Sequence, residues 1–250
     1  MSIFSIFSRP KEPARLPFAT DIHCHIVPGV DDGSPDAATS ADLIERMQSW
    51  GIRRIIATPH ITECSFENTP DILDPALEEL HAELKRRGNG IKVERASENR
   101  IDDYFRELLK AGQIQTMPDD YILVENSFIQ EPWQLDQFLY DLRLQGLRPI
   151  LAHPERYYYY HDRSSTRYDD LHRAGTYFQV NVLSLAGAYG KHEKKIAEQL
   201  IEKGYVDFLG TDLHNARHAD IIDKYLTTSD ARKHFAALAP NLKNDRVFPA

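Results

Sequence analysis

From residue 18 to about residue 240, short apolar runs alternate with stretches of helical period. The runs cover residues 18–26, 53–60, 91–98, 121–128, 148–155, 176–183 and 206–214, each rich in Ile, Val, Leu or aromatic side chains. Continuous apolar runs of this length are typical of strands buried on both faces, as in a parallel sheet. The stretches between them carry one apolar face. After Ser34-Pro35, for example, Ala41, Ile44, Met47 and Trp50 fall on the same side. Ser34 is the expected N-cap there, Pro35 the first helical residue and Gly51 the terminator. Gly88, Gly146, Gly175 and Gly204 each stand between a helical stretch and the next strand in the same way.

Seven strand-then-helix units imply parallel strands joined by right-handed crossovers. No glycine-rich nucleotide loop marks a switch point, so an open doubly wound sheet is disfavoured. The expected fold is α/β, a distorted seven-stranded, TIM-like β/α barrel forming one domain over residues 18–250. Residues 1–17 are expected to be an N-terminal arm, whose Phe4 and Phe7 could dock on a neighbour, and the tail after Pro240 a surface-bound coil.

Composition removes several function classes. The 250 residues are 42% hydrophobic and 27% charged, as in a globular chain with a real core. A net charge of −8 without a basic cluster argues against nucleic acid as a partner. No apolar run approaches the roughly 18 residues a membrane span needs, so direct membrane insertion is not expected. The opening MSIFSIFSRPKEP lacks the continuous apolar segment of a signal peptide. Two cysteines, Cys24 and Cys64, suit a reducing, cytoplasmic setting. Neither begins a Cys-x5-Arg loop, because Val30 and Pro70 stand six places on, so thiol-based phosphatase chemistry is absent.

The eleven histidines are placed rather than scattered. His23 and His25 end the first run, His60 the second and His153 lies near the end of the fifth; Glu98 ends the third, Glu125 lies late in the fourth, and Asp212 with His214 closes the seventh. The sixth carries Asn181 at the corresponding point. In β/α barrels the active site is assembled from the carboxyl ends of the strands. Residues i and i+2 of a strand face one way, so His23 and His25 converge while Cys24 turns outward as a core residue. The turn after the first run, PGVDDG, adds Asp31 and Asp32; Asp32 is the preferred ligand. Five histidines (23, 25, 60, 153, 214) and four carboxylates (32, 98, 125, 212) exceed what one tetrahedral ion uses. They fit two or three divalent ions, and nitrogen–oxygen ligation favours manganese, iron, zinc or cobalt. Three such ions against four carboxylates and one hydroxide leave a site of roughly +1, which would attract phosphate. Arg156 and Arg217, in loops at the same end, could grip phosphoryl oxygens.

The strings DIHCHIVPGVDDG, ATPH, LVENSF, ILAHPERY, FQVNVLSLAG and FLGTDLHN resemble the PHP (polymerase and histidinol phosphatase) superfamily. With QEPWQLDQFL they are similar, over residues 18–220, to its bacterial tyrosine-protein phosphatases of capsular and extracellular polysaccharide synthesis. The resemblance implies a trinuclear centre, usually manganese. His23, His25, Glu98 and Asp212 would hold one ion, Glu98, Glu125 and His153 a second, and Asp32, His60 and His214 a third. Arg156 and Arg217 would bind phosphate. It implies direct attack of metal-bound hydroxide on a phosphotyrosine, carried by a partner such as a bacterial tyrosine autokinase. A phenol leaves with a pKa of about 10 and needs no strong general acid. One departure concerns the third run: where the family usually reads alanine-glutamate-tyrosine, this chain has Asn99 and Arg100 after Glu98. The tyrosines at 157–160 either line the entrance or pack beneath the loop. The alternatives to a tyrosine phosphatase are a small-molecule phosphatase, histidinol phosphate being the obvious substrate, and a non-catalytic metal-stabilised scaffold that binds a kinase.

Overall fold

The computed structural model describes residues 12–162 and 166–250. Each apolar run except the second and third yields one strand. In chain order the elements begin β1 (Thr20–Asp21), α1 (Ala37–Ser49), β2 (Arg54–Ala57), β3 (His60–Ile61), α2 (Pro70–Arg86), β4 (Lys92–Arg95), β5 (Glu98–Arg100) and α3 (Asp103–Lys110). They continue with β6 (Tyr121–Glu125), α4 (Leu135–Leu144), β7 (Arg148–Ala152), α5 (Arg167–Arg173), β8 (Tyr177–Asn181), α6 (Val182–Ala186) and α7 (Lys191–Lys203). The chain then forms β9 (Phe208–Gly210), α8 (Ala216–Leu226), α9 (Ser229–Leu238) and α10 (Asn244–Val247).

All strand pairs are parallel, in the orders β1-β2-β4 and β3-β5-β6-β7-β8-β9. The second run breaks at Thr58-Pro59, where proline has no N–H to give the ladder, and the third breaks at Ala96-Ser97. A parallel bridge between Cys24 and Leu213 links the first run to the seventh. It is supported by His25 N–H on the Leu213 carbonyl at 2.9 Å and Asp212 N–H on the His23 carbonyl at 2.8 Å. The result is a single α/β domain built on a curled parallel half-barrel.

Strand alternation divides the apolar residues into two clusters. Ile55, Ala57, Ile122, Val124, Leu151, Phe178, Val180 and Leu209 face the helices and join the larger one. Cys24, fully buried, belongs to it too, as its outward direction predicts. Ile56, Leu123, Ile150, Ala152 and Phe208 fill the hollow of the curl. A sheet buried on both faces has no polar alternation to show, which is why its strands read as continuous apolar runs.

Two boundaries differ from expectation. The first helix is capped at Asp36, whose side chain accepts from Thr39 N–H, and not at Ser34, whose hydroxyl donates to the Asp36 carbonyl. The tail after Pro240 is not a surface coil. Phe248 is fully buried and enters the hollow beside Tyr121 and Phe208, at ring separations of 5.4 and 5.9 Å. The Asn244 amide donates to the carbonyls of Thr20 and Leu209, and the Asp245 carboxylate accepts from the N–H groups of Ala19 and Thr20. Ala19 and Thr20 lie at the start of β1 and Leu209 within β9, so the tail stops the amino-terminal mouth of the curl. An apolar hollow left open to water would lose the burial of five or more large side chains, which the tail restores.

Of the expected arm, residues 1–11, with Phe4 and Phe7, lie outside the described residues. Leu16 is buried, and the N–H groups of Ala14 and Leu16 donate to the carbonyls of Leu226 and Trp50. Among the described residues no helix is long and apolar enough to cross a membrane.

Candidate metal centre

The carboxyl ends of the strands bring together all nine expected ligands. His60 and Glu98 lie opposite each other in the β3–β5 register, as do Arg100 and Glu125 in β5–β6. Glu98 occupies the middle. Its Oε2 lies 3.3 Å from His23 Nε2, 3.4 Å from His25 Nε2 and 3.1 Å from His60 Nδ1, while Oε1 is 2.8 Å from His153 Nε2. Asp212 Oδ1 is 3.5 Å from His23 Nε2, from His25 Nε2 and from His214 Nδ1. Asp32 reaches His60 Nε2 at 3.6 Å and His214 Nε2 at 3.5 Å. Glu125 lies 3.7 Å from His60 and 3.8 Å from His153.

Two of these residues owe their aim to backbone strain and not to strand pleating. His153 and Asp212 have φ of +33° and +50°, in the left-handed region that side chains with a Cβ rarely adopt. His153 directly follows the last residue of β7, and Asp212 stands two residues after β9 ends at Gly210, beside the bridge residue Leu213.

The donor set fits divalent ions on the chemistry of its unpartnered atoms. His23 Nε2, His25 Nε2, His60 Nδ1, Glu98 Oε2 and Glu125 Oε2 are buried without a hydrogen-bond partner. Buried polar atoms are nearly always partnered, so five facing one another imply that something else binds them. Their opposite atoms are held. His23 Nδ1 meets Gln179 Oε1 at 2.6 Å, His25 Nδ1 meets Asp31 Oδ2 at 2.9 Å, and His214 Nδ1 meets the Asp212 carbonyl at 2.9 Å. Such bonds fix the tautomer and orient the other nitrogen for a metal. Asp212 is divided likewise: Oδ2 accepts from Asn181, Tyr189 and Arg156, leaving Oδ1 for the cluster. Four groups of three or four of these side chains have ligand atoms within 4.8 Å of one another. One is His25, Asp32, His60 and His214; another is His23, His25 and Asp212.

Charge crowding shows in the proton affinities. For His23 burial opposes the charged form, yet Glu98 and Asp212 lift its pKa to about 9, and Asp31 helps to hold His25 well above its ordinary value. Burial and its neighbour His25 press His60 down to about 4. Burial and Glu98 push the Glu125 carboxyl up to about 8, while the histidines, overcoming burial, keep Glu98 well below its usual range.

The centre forms the floor of a cleft of about 430 Å³, walled by Phe66, Arg100, Phe128, Arg156 and Tyr189. The Arg156 guanidinium lies 4.7 Å from the Phe128 ring centroid and 4.1 Å from that of Tyr189, with Nη1 3.1 Å from Asp212 Oδ2. Arg217 is not brought into this group. It is exposed in the first turn of α8, outside the residues that line the cleft. Three of the four tyrosines pack beneath the loop after β6, Tyr158 being exposed: Tyr157 OH accepts from Asn126 N–H, Tyr159 OH donates to the Ser127 carbonyl, and Tyr160 bonds Asn126 and Glu131. Phe128, on that loop, stacks against His153.

Sequence reasoning offers Asp31 only as the less preferred ligand beside Asp32 and passes over Gln179; in the structure both are partners of the two leading histidines. Gln179 stands two residues before Asn181, on the same side of β8, and that spacing was the available signal.

Tyrosine-protein phosphatase YwqE of Bacillus subtilis (strain 168) is 35% identical over 198 residues, 79% of this chain and 78% of that protein. Tyrosine-protein phosphatase CpsB of Streptococcus agalactiae serotype V is 31% identical over 202 residues, 78% and 82% of the two chains. A solved structure from work on YwqE from Bacillus subtilis and CpsB from Streptococcus pneumoniae, described there as unique metal-dependent tyrosine phosphatases, matches with a TM-score of 0.73. It is 32% identical, and the match covers 90% of this chain and 94% of the other. The family model for capsular polysaccharide synthesis, CpsB/CapC, matches residues 19–224, and the chain belongs to that family.

Proposed function

We propose that this protein is a metal-dependent protein-tyrosine phosphatase of capsule or exopolysaccharide synthesis. The observation that carries the reading is the set of buried, unpartnered nitrogen and oxygen atoms converging on one cleft floor, in a chain whose relatives bear that activity in their names. His23, His25, Glu98 and Asp212 would hold one divalent ion, Glu98, Glu125 and His153 a second, and Asp32, His60 and His214 a third; manganese suits the nitrogen–oxygen set. Bound ions would supply positive charge for the phosphoryl group and an activated water as nucleophile.

The chain's own residues would do the rest. Arg156, clamped between Phe128 and Tyr189, would present its remaining donors to phosphoryl oxygens. Phe66 and Phe128 offer aromatic faces to a phenyl ring entering the cleft. The curled sheet reads as a distorted seven-stranded barrel, a view supported by the bridge from Cys24 to Leu213. The phosphotyrosine partner we infer is a bacterial tyrosine kinase, and two free cysteines suit its cytoplasmic side of the membrane.

The test is phosphate release from a phosphotyrosine peptide and from histidinol phosphate, side by side, with manganese and with excess chelator. Chelator-sensitive turnover that favours the peptide is expected. Preference for histidinol phosphate would overturn the substrate class, and chelator-resistant turnover would overturn the metal centre.

A further inference from the structure

Arg100 stands in a relation to the centre that matches that of Arg156, each on a different carboxylate. Arg156 donates to Asp212, at one edge of the cluster; Arg100 donates to Glu125, at another, with Nε and Nη2 both on Oε1 at 3.2 and 3.1 Å. Glu125 Oε1 is thereby occupied, while Oε2 is buried without a hydrogen-bond partner, 3.8 Å from His153 Nε2. The two side chains are similarly accessible, 28% and 24% exposed, and both line the cleft. Arg100 Nη1 has no hydrogen-bond partner among the described residues, so the outer edge of the guanidinium is free to donate. Its position is fixed by the sheet, since Arg100 is paired in register with Glu125.

A planar guanidinium anchored along one edge presents its other donors in a preset direction, which suits it to an oxyanion. The second arginine that the sequence suggested for phosphate, Arg217, is exposed in the first turn of α8 and does not itself line the cleft, although its neighbours Asn215 and His218 do. We propose that Arg100, which lines the same cleft as Arg156, is the second phosphoryl-binding guanidinium of this protein and acts on the same oxyanion. The inference rests on the phosphatase reading for its substrate, while the anion grip itself is testable without turnover.

The experiment is calorimetric titration of the manganese-loaded protein with inorganic phosphate, for wild type, R100Q and R100K, with bound metal assayed in each sample. R100Q should weaken phosphate binding about tenfold or more, the effect of losing one charge-assisted hydrogen bond, with bound manganese unchanged. R100K should recover part of the loss, because it restores charge without the planar fork. Phosphate affinity within twofold of wild type in R100Q would overturn the proposal. So would a fall in manganese content with phosphate affinity per loaded site intact, which would make Arg100 only a positioning residue for Glu125. Phosphate binding that depends on Arg100 in a protein without peptide turnover would uphold the grip and fail the phosphatase reading instead.

Discussion

Asp31 is the most informative residue to change, because its carboxylate connects the metal centre to the loop that shapes it. Oδ2 accepts from His25 Nδ1 at 2.9 Å and from the His60 backbone N–H at 3.0 Å, and Oδ1 accepts from Gly33 N–H at 3.0 Å. All three partners are donors. In D31N one of the two atoms becomes an NH2 group, so whichever way the amide turns, a donor must face a donor. The milder orientation sacrifices Gly33 and keeps a neutral bond to His25; the other frees the His25 ring and the β3 backbone together. Either way the negative charge behind His25 is lost. Partners of this kind are worth about 10- to 100-fold in metal affinity. A buried donor left without an acceptor costs about 1–3 kcal/mol in stability. The assay is competition for manganese between the protein and a chelator of known affinity, beside a urea unfolding curve of the metal-free form. Metal affinity within twofold of wild type would refute the reasoning and reduce Asp31 to a turn residue.

Two other predictions follow from the same structure. In the metal-free protein His23 carries a proton up to about pH 9, and Glu125 holds one up to about pH 8, so metal binding at pH 7 must expel protons and strengthen as pH rises toward 9. The His23 shift also stabilises the metal-free fold below its unfolded pKa of about 6.5, a contribution lost as pH rises through 9. Metal titration in weak buffer with a pH indicator tests this, and binding without proton release would contradict it. F248A should destabilise the fold by about 3–5 kcal/mol, the range for a buried aromatic removed from a core, while leaving the cleft geometry intact. Urea unfolding reads the loss, and a change under 1 kcal/mol would mean that the tail does not stop the mouth of the curl.

The convergence of the nine candidate side chains was legible in the sequence because parallel strands carry their functional groups at one end, and strand ends can be read from where apolar runs stop. His23, His25, His60 and Glu98 needed nothing further. His153 and Asp212 sit at strand exits as read, but both have left-handed backbone there, which no period-2 pattern reports. The helix cap moved from Ser34 to Asp36 because both are competent caps and the loop decides between them. Arg217 follows a ligand closely in sequence, but α8 starts at Ala216 and carries it out to solvent. Contacts between distant segments left no local trace. Nothing near Phe248 announces that its partners are Tyr121 and Phe208, and a polar, proline-marked tail reads as coil.

That stopper also sets the order in which the molecule can be completed during synthesis. The backbone of β1 finds its last partners in Asn244 and Asp245, more than 220 residues later, so the earliest strand to leave the ribosome is among the last to be secured. Until residue 248 has emerged, the curl is an unsealed funnel with Ile56, Leu123, Ile150 and Phe208 lining its floor. Contacts this far apart slow folding and leave apolar surface open to other chains. A released chain lacking the residues from Lys243 onward should therefore hold a nearly formed metal centre on a body that chaperones still recognise as unfinished.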